Sequence, residues 1–197
     1  MEETQRDSRL PLVLTLLLVL GAVGVFYGQN AVQELSSAVT RGEKFRSERY
    51  GYSFSYPIKL HLAVSPAENF VVLSTDPEVT VPPKGDLDAL TQDDLLITLM
   101  LTERVQYPDL KTWVETFVLY AETTTSDRLV SKEDTEIGGV PAIELVFNHP
   151  IDTERSQFRR HINFLAGGRG YAITVLPADS AHAEVEEAVL ESFEVGD

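Results

Sequence analysis

The sequence contains no cysteine among its 197 residues. This absence excludes disulfide bonds, thiolate metal sites, cysteine nucleophiles and a lipid anchor attached through a cysteine. Basic residues are scarce as well, because 16 Lys and Arg stand against 31 Asp and Glu, giving a formal net charge of −15. A chain this acidic repels phosphate backbones, so the composition argues against direct binding to nucleic acid.

Motifs typical of catalysis are also missing. The sequence has no G-x-S-x-G nucleophile elbow, no phosphate-binding glycine loop and no H-E-x-x-H zinc motif. Its four histidines are scattered without metal-ligand spacing. Glu144 and His161 form a candidate acid–base pair, with a surface pair across two strands as the alternative. A hydrolase is therefore disfavoured, and we expect a non-catalytic protein.

Residues 10–28 (LPLVLTLLLVLGAVGVFYG) carry no charge, unlike the rest of the chain. As an α-helix they span roughly 28 Å, close to the thickness of a bilayer's hydrocarbon core. Arg6 and Arg9 precede them, so the positive-inside rule predicts a cytoplasmic N-terminus. We predict a single-pass transmembrane anchor, and a cleaved signal peptide is the alternative. Apolar positions of this anchor include Leu10, Leu14, Leu18, Val23 and Phe26.

The anchor divides the chain into four predicted regions. These are a cytoplasmic tail (residues 1–9), the anchor (10–28), a polar stalk and linker (29–48), and an extracytoplasmic domain (49–197). With either an anchor or a signal peptide, the domain acts outside the cytoplasm, in a periplasm, a lumen or the extracellular space.

Apolar periodicity predicts that this domain consists mainly of β-strands with two helices. In YGYSFSYP (residues 50–57), aromatic and small residues alternate as in a strand with one buried face, and we interpret the aromatic residues as core rather than as a ligand platform. Residues 95–101 predict a central strand covered on both faces. Amphipathic stripes predict helices over 109–122, capped by Asp109, and over 180–193. The second stripe places four glutamates in water: Glu184, Glu186, Glu187 and Glu191.

Two later strands can be paired from their patterns. Setting Phe147 opposite Phe158 brings the apolar residues of both strands to one face. The same register places Glu144 opposite His161 and leaves Arg160 on the apolar side.

The loop GDLDALTQDD (residues 85–94) is rich in aspartate. Carboxylate oxygens are the ligands that Ca²⁺ prefers, although the spacing departs from the EF-hand pattern. The loop is therefore a candidate site for a divalent cation such as Ca²⁺, and a solvated loop without a metal is the alternative. The candidate ligands are Asp86, Asp88, Asp93 and Asp94.

The order of these elements resembles the PsbP-like family, named for the extrinsic photosystem II protein. The resemblance covers about residues 48–195, and its most specific parts are GYSF (51–54) with Pro57, GVPA (139–142) and Ser192-Phe193. It implies an α+β fold, an antiparallel β-sheet with helices on both faces (an α/β/α sandwich), here preceded by one transmembrane helix. It also implies an accessory role, since PsbP-like domains bind, stabilise or help assemble membrane complexes.

The sequence thus predicts a membrane-anchored, non-catalytic accessory or assembly factor whose partner is a membrane protein complex. Two alternatives stay open. One is an envelope domain that binds a small ligand or cation between helix and sheet, and the other is an extrinsic subunit associated with a photosystem.

Overall fold

The computed structural model of the protein describes residues 42–103 and 107–196. The predicted tail, the predicted anchor with its residues Leu10 to Phe26, and most of the predicted linker lie outside these ranges. No helix within them is long and apolar enough to cross a membrane.

The described residues form ten strands and two α-helices. The first α-helix continues into a π-helical turn, Ala121–Thr125, and a 3-10 turn, Leu87–Ala89, precedes β5. The elements are β1 (Glu43–Arg46), β2 (Tyr52–Tyr56), β3 (His61–Val64), β4 (Phe70–Ser74), β5 (Leu96–Thr102), α1 (Leu110–Tyr120), β6 (Arg128–Ile137), β7 (Val140–Pro150), β8 (Ser156–Ala166), β9 (Arg169–Leu176), α2 (Ala183–Glu191) and β10 (Glu194–Val195).

Two antiparallel sheets make the domain mostly β. The larger has seven strands in the order β3-β4-β5-β9-β8-β7-β6, and the smaller has three in the order β1-β2-β10. The larger sheet confirms the predicted antiparallel architecture, whereas the smaller sheet was not predicted. β1 lies inside the predicted linker, so the folded domain already includes Glu43. A four-residue strand with Phe45 as its one large apolar residue carries too little periodicity to be recognised.

The main core lies between the larger sheet on one side and the smaller sheet with α2 on the other. Phe193, just after α2, stacks on Tyr52 and Phe54 with ring centroids 5.8 and 6.0 Å apart. The alternating aromatic residues of the first quoted motif are all buried, which confirms their interpretation as core: Tyr50, Tyr52, Phe54 and Tyr56.

The helix α1 covers part of the opposite face of the larger sheet. Its residue Val114 packs in a second cluster with Ile143 and Leu145, whereas Ala142 belongs to the main core. Because neighbouring residues of a strand point to opposite faces, α1 and α2 lie on different faces of this sheet. The predicted cap is confirmed, since the Asp109 carboxylate accepts a hydrogen bond of 2.7 Å from the Thr112 amide.

The central strand β5 is less fully covered than predicted. Its residues Leu99 and Leu101 lie in the main core, and Leu96 on the other face packs in a third cluster with Val72 and Leu176. Met100, on that same second face, is 51% exposed. The second face of β5 is therefore buried at one end of the strand and open at the other.

The predicted register of β7 and β8 is wrong by one residue. Phe147 lies opposite Arg159 rather than Phe158, and Glu144 lies opposite Ile162. A slip of one residue exchanges the two faces of a strand, so an apolar pattern selects the register only where one face is exposed. Here helices cover both faces, and apolar residues alternate on both.

Glycine pairs form the hairpin turns between β6 and β7 and between β8 and β9. Gly138 has a φ of +57°, and a Cβ atom there would lie 2.5 Å from the backbone oxygen of Phe193. Only glycine therefore allows the β6–β7 hairpin to approach the backbone just after α2 this closely.

Candidate functional site

A cleft of about 290 Å³ opens beside the β6–β7 hairpin, between the larger sheet and α2. We call it the acidic cleft. Its base is apolar, because Ile137, Ile162 and Leu190 line it and are buried. Its remaining lining carries three carboxylates from β7 and α2: Glu144, Glu187 and Glu191. Glu136 of β6 also borders the cleft, but its side chain points to the other face of the sheet because it alternates with Ile137.

Among the residues that the structure describes, Arg160 of β8 is the one basic residue that lines the acidic cleft. Its guanidinium donates hydrogen bonds of 2.7 Å to Glu144 and 2.8 Å to Glu187, and a third to Glu186. The Glu186 side chain is only 3% exposed, and that of Arg160 is 19% exposed. Three carboxylates from β7 and α2 thus share a single cation.

Burial and charge shift the pKa values of this cluster in opposite directions. Burial raises the pKa of Glu186, and the charge and hydrogen bond of Arg160 offset that rise only in part. For Arg160, burial alone lowers the pKa, but the hydrogen bonds with Glu144 and Glu187 and the charge of Glu186 raise it above its usual value. The guanidinium therefore stays charged, and the cleft as a whole carries excess negative charge that favours cations.

The sequence pattern does not predict this cluster, and the prediction that Glu186 faces water is wrong. Glu186 is 2% exposed because Arg160 reaches it from the sheet. The sequence does contain a signal for the cluster, because the predicted pairing of β7 with β8 leaves Arg160 on an apolar face. An arginine in that position requires buried carboxylates, and α2 is the glutamate-rich element that can supply them.

The aspartates of the predicted cation site do not converge. Asp86 accepts a hydrogen bond from the Asp88 amide and caps the 3-10 turn, while Asp94 accepts two from Thr91. Asp93 accepts one through its backbone carbonyl. Within residues 42–103 and 107–196, no group of three or more His, Asp or Glu side chains could hold a metal ion. The cation site stays a prediction from the sequence, without support from this geometry.

Asp88 belongs instead to a second polar cluster at one end of β7 and β8. It accepts a hydrogen bond of 2.7 Å from Arg159 and lies 3.5 Å from Nε2 of His149. The other ring nitrogen of His149 contacts the buried Asp127, which also accepts a hydrogen bond from Thr125. The cluster joins the 3-10 turn to the sheet, because Asp88 of that turn is bonded to Arg159 of β8. Both ring nitrogens of His149 face carboxylates, so neither of them contacts a hydroxyl.

The predicted pairing of Glu144 with His161 is wrong. Glu144 faces the acidic cleft, whereas His161 lies on the opposite face of the sheet beneath α1, with its ring centroid 5.2 Å from that of Phe117. Its Nδ1 lies 3.0 Å from the Thr174 hydroxyl. Burial lowers the pKa of His161 to about 4, so the imidazole is neutral at pH 7.

The burial of His161 predicts a specific loss of stability in acid. An unfolded histidine takes up a proton near pH 6.5, whereas the folded one resists protonation down to about pH 4. The stabilisation that the neutral imidazole gives the folded state is therefore complete above pH 6.5. It decreases by about 3 kcal/mol as the pH falls to 4. Between pH 7 and pH 4, the free energy of unfolding of the unmodified chain should therefore fall by about 3 kcal/mol more than that of His161→Leu. Urea denaturation at the two pH values measures this difference.

The matched control is His61→Leu, because His61 is exposed on β3. Its pH profile should parallel that of the unmodified protein. Parallel profiles for His161→Leu and the unmodified protein would contradict a neutral His161 beneath α1.

Comparison with known proteins gives results at the level of structure. No protein-family model matches the sequence, and no curated protein matches it. The solution structure of cyanobacterial PsbP (CyanoP) from Synechocystis sp. PCC 6803 aligns with a TM-score of 0.51 at 15% identity, over 78% of this chain and 92% of CyanoP. A Pseudomonas aeruginosa protein of unknown function, PA94, aligns with a TM-score of 0.49 at 14% identity, over 77% of this chain and 94% of PA94.

The alignment with CyanoP extends over nearly all of that protein and agrees with the family resemblance of the sequence motifs. At 15% identity the alignment shows the fold alone and does not indicate an activity or a partner. The described part of this chain has a PsbP-like fold.

Proposed function

We propose that this chain is a membrane-anchored, non-catalytic accessory or assembly factor that binds a membrane protein complex through a PsbP-like domain outside the cytoplasm. The observation that carries the proposal is the acidic cleft on this fold. It is a concave, charged surface in which the one lining cation is already bonded to carboxylates. Such a surface suits recognition of another molecule better than proton transfer or nucleophilic attack.

The two histidine sites also support a non-catalytic role. His149 is flanked by Asp88 and Asp127, and His161 is held neutral beneath α1. In the described ranges, neither imidazole is hydrogen-bonded to a serine, and the threonine at His161 lies on a strand inside the sheet. A general base needs a substrate proton or nucleophile within hydrogen-bond reach.

The membrane location of the proposed factor rests on the uncharged residues 10–28 and the two arginines before them. The linker keeps the domain near the membrane, where an integral membrane complex is accessible. An anchored domain meets such a partner at a raised effective concentration, so a weak contact suffices for stable association.

Crosslinking followed by purification from native membranes tests this function. The full-length chain, isolated in mild detergent, should bring down one integral membrane complex in a fixed ratio. A variant whose residues 10–28 are exchanged for an unrelated spanning segment should recover the same complex, because the domain makes the contact. Recovery of the bait alone in repeated preparations would contradict the proposal.

A second candidate is an envelope domain that binds a small ligand. The volume of the acidic cleft favours it, since about 290 Å³ approaches the lower end of the range for small-molecule sites. A screen of cationic metabolites by thermal shift separates the two functions: a small-ligand domain shows a rise in Tm without any partner protein. The photosystem-associated role is the third candidate, and the identity of the complex recovered from the membranes decides it.

A further inference from the structure

We propose that the acidic cleft docks a basic segment of the partner protein, with one arginine or lysine side chain of that segment inserted into the cleft. This inference rests on the proposed function, because the partner is the complex postulated there. It adds where the partner binds and which chemistry recognises it.

The shape and chemistry of the cleft match a long basic side chain. The apolar base formed by Ile137, Ile162 and Leu190 can pack against an aliphatic stem. Two exposed carboxylates can meet the charged head group: Glu191 in the lining of the cleft, and Glu133, which lies on the same face of β6 as Ile137. Lysine and arginine combine these two parts in one side chain, and a volume of about 290 Å³ accommodates either.

The charge balance of the cleft selects a cation over an anion. Arg160 is already bonded to Glu144, Glu186 and Glu187, so it offers little attraction to an incoming anion. Among the described residues, no ion pair involves Glu133 or Glu191. An incoming guanidinium or ammonium group would give these two carboxylates the cation that the fold does not supply.

The strand that borders the cleft offers a place for the rest of the segment. In the part of the chain that the structure describes, β6 forms an edge of the larger sheet. Exposed acidic side chains line this edge at Glu133, Asp134 and Glu136. An extended peptide can pair with such an edge through its backbone and direct alternate side chains to one face. Basic residues at alternate positions would then meet both the edge carboxylates and the cleft.

Titration of the full-length protein with a labelled peptide tests the proposal. The probe is a fluorescent nonapeptide of alternating threonine and arginine, and its control is the same peptide with neutral citrulline in place of arginine. Fluorescence anisotropy should show binding of the arginine peptide with an affinity at least about tenfold higher than that of the citrulline peptide. Equal binding of the two peptides, or binding of neither, would overturn the proposal.

Matched charge variants locate the binding. Glu133→Gln with Glu191→Gln removes two carboxylates that face the cleft without touching Arg160 and should weaken binding of the arginine peptide by about tenfold. Glu78→Gln with Glu184→Gln removes the same charge from exposed positions outside the cleft lining and should change binding by less than about twofold. Equal losses in the two double variants would show attraction to overall charge and would overturn the cleft as the docking site.

The same variants, purified from native membranes, separate this inference from the proposed function. Loss of the complex from Glu133→Gln/Glu191→Gln, with retention by Glu78→Gln/Glu184→Gln, supports docking in the cleft. Retention by both variants overturns the cleft while the accessory role stands. Absence of any complex with the unmodified chain overturns the accessory role itself.

Discussion

Replacement of Arg160 with methionine should lower the free energy of unfolding by about 3–5 kcal/mol at pH 7. Methionine retains much of the aliphatic volume but leaves Glu186, whose side chain is 3% exposed, without the cation it contacts. An unpaired buried carboxylate either remains charged at high cost or takes up a proton. Urea denaturation, followed through the fluorescence of Trp113, the chain's one tryptophan, measures the loss.

The destabilisation by Arg160→Met should shrink as the pH falls. The pKa of Glu186 is already raised by burial, and removal of Arg160 raises it further. A carboxyl whose pKa is higher in the folded state favours folding at low pH and loses that contribution as the pH rises through the folded pKa. The difference between variant and unmodified protein should therefore be smaller at pH 5 than at pH 7.

Two controls define the Arg160 experiment. Arg155→Met removes an exposed arginine that pairs with Asp152, so it should cost less than about 1 kcal/mol. Adding Glu186→Gln to Arg160→Met removes the buried charge and should restore part of the lost stability. If Arg160→Met were as stable as Arg155→Met, the buried cluster would not have the energetic role described.

Replacement of Phe164 with alanine should be about equally severe, at about 3–5 kcal/mol. Phe164 on β8 is fully buried, stacks on Tyr171 with centroids 4.8 Å apart, and meets Phe193 edge-on at 5.8 Å. The alanine variant loses the transfer free energy of the ring and leaves a cavity where the larger sheet meets the end of α2. Urea denaturation at pH 7 measures this loss.

Phe158→Ala is the matched control for the core substitution. Phe158 lies on the same strand but is 38% exposed, so its removal should cost at most about 1 kcal/mol. Similar losses for the two phenylalanines would contradict the placement of Phe164 at the centre of the main core.

The parts of the fold that the sequence predicted are those set by local, strongly periodic patterns. The aromatic alternation from Tyr50 to Tyr56 identified a buried strand, and the spacing of apolar residues with Asp109 identified α1 and its start. Glycine pairs are a further local signal, because the left-handed backbone conformation at the two hairpin turns favours glycine.

The parts that the sequence did not predict depend on contacts between distant segments. The pairing of β2 with β1 and β10 involves strands of four and two residues, too short for a periodic signal. The register of β7 against β8 was ambiguous because helices cover both faces of these strands. In both cases the deciding interactions are tertiary, and a local pattern does not contain them.

The candidate site also depends on contacts between distant segments and not on a local pattern. The aspartates of residues 85–94 are neighbours in sequence, yet the fold uses Asp86 and Asp94 in separate local hydrogen bonds and pairs Asp88 with a distant arginine of β8. The acidic cleft instead assembles from the β6–β7 hairpin, from β8 and from α2, which are far apart in the chain. The misplaced charge of Arg160 was the one sequence signal that pointed to it.

Site-specific photocrosslinking in native membranes tests most directly whether the acidic cleft is where this domain meets its partner. The full-length chain would carry a photoreactive amino acid either at Thr135, which lines the cleft, or at Ile58, which is 79% exposed and outside the cleft lining. We predict that Thr135 yields one adduct of defined mass with a single membrane protein and that Ile58 does not. The same adducts from both positions, or none from Thr135, would contradict the account.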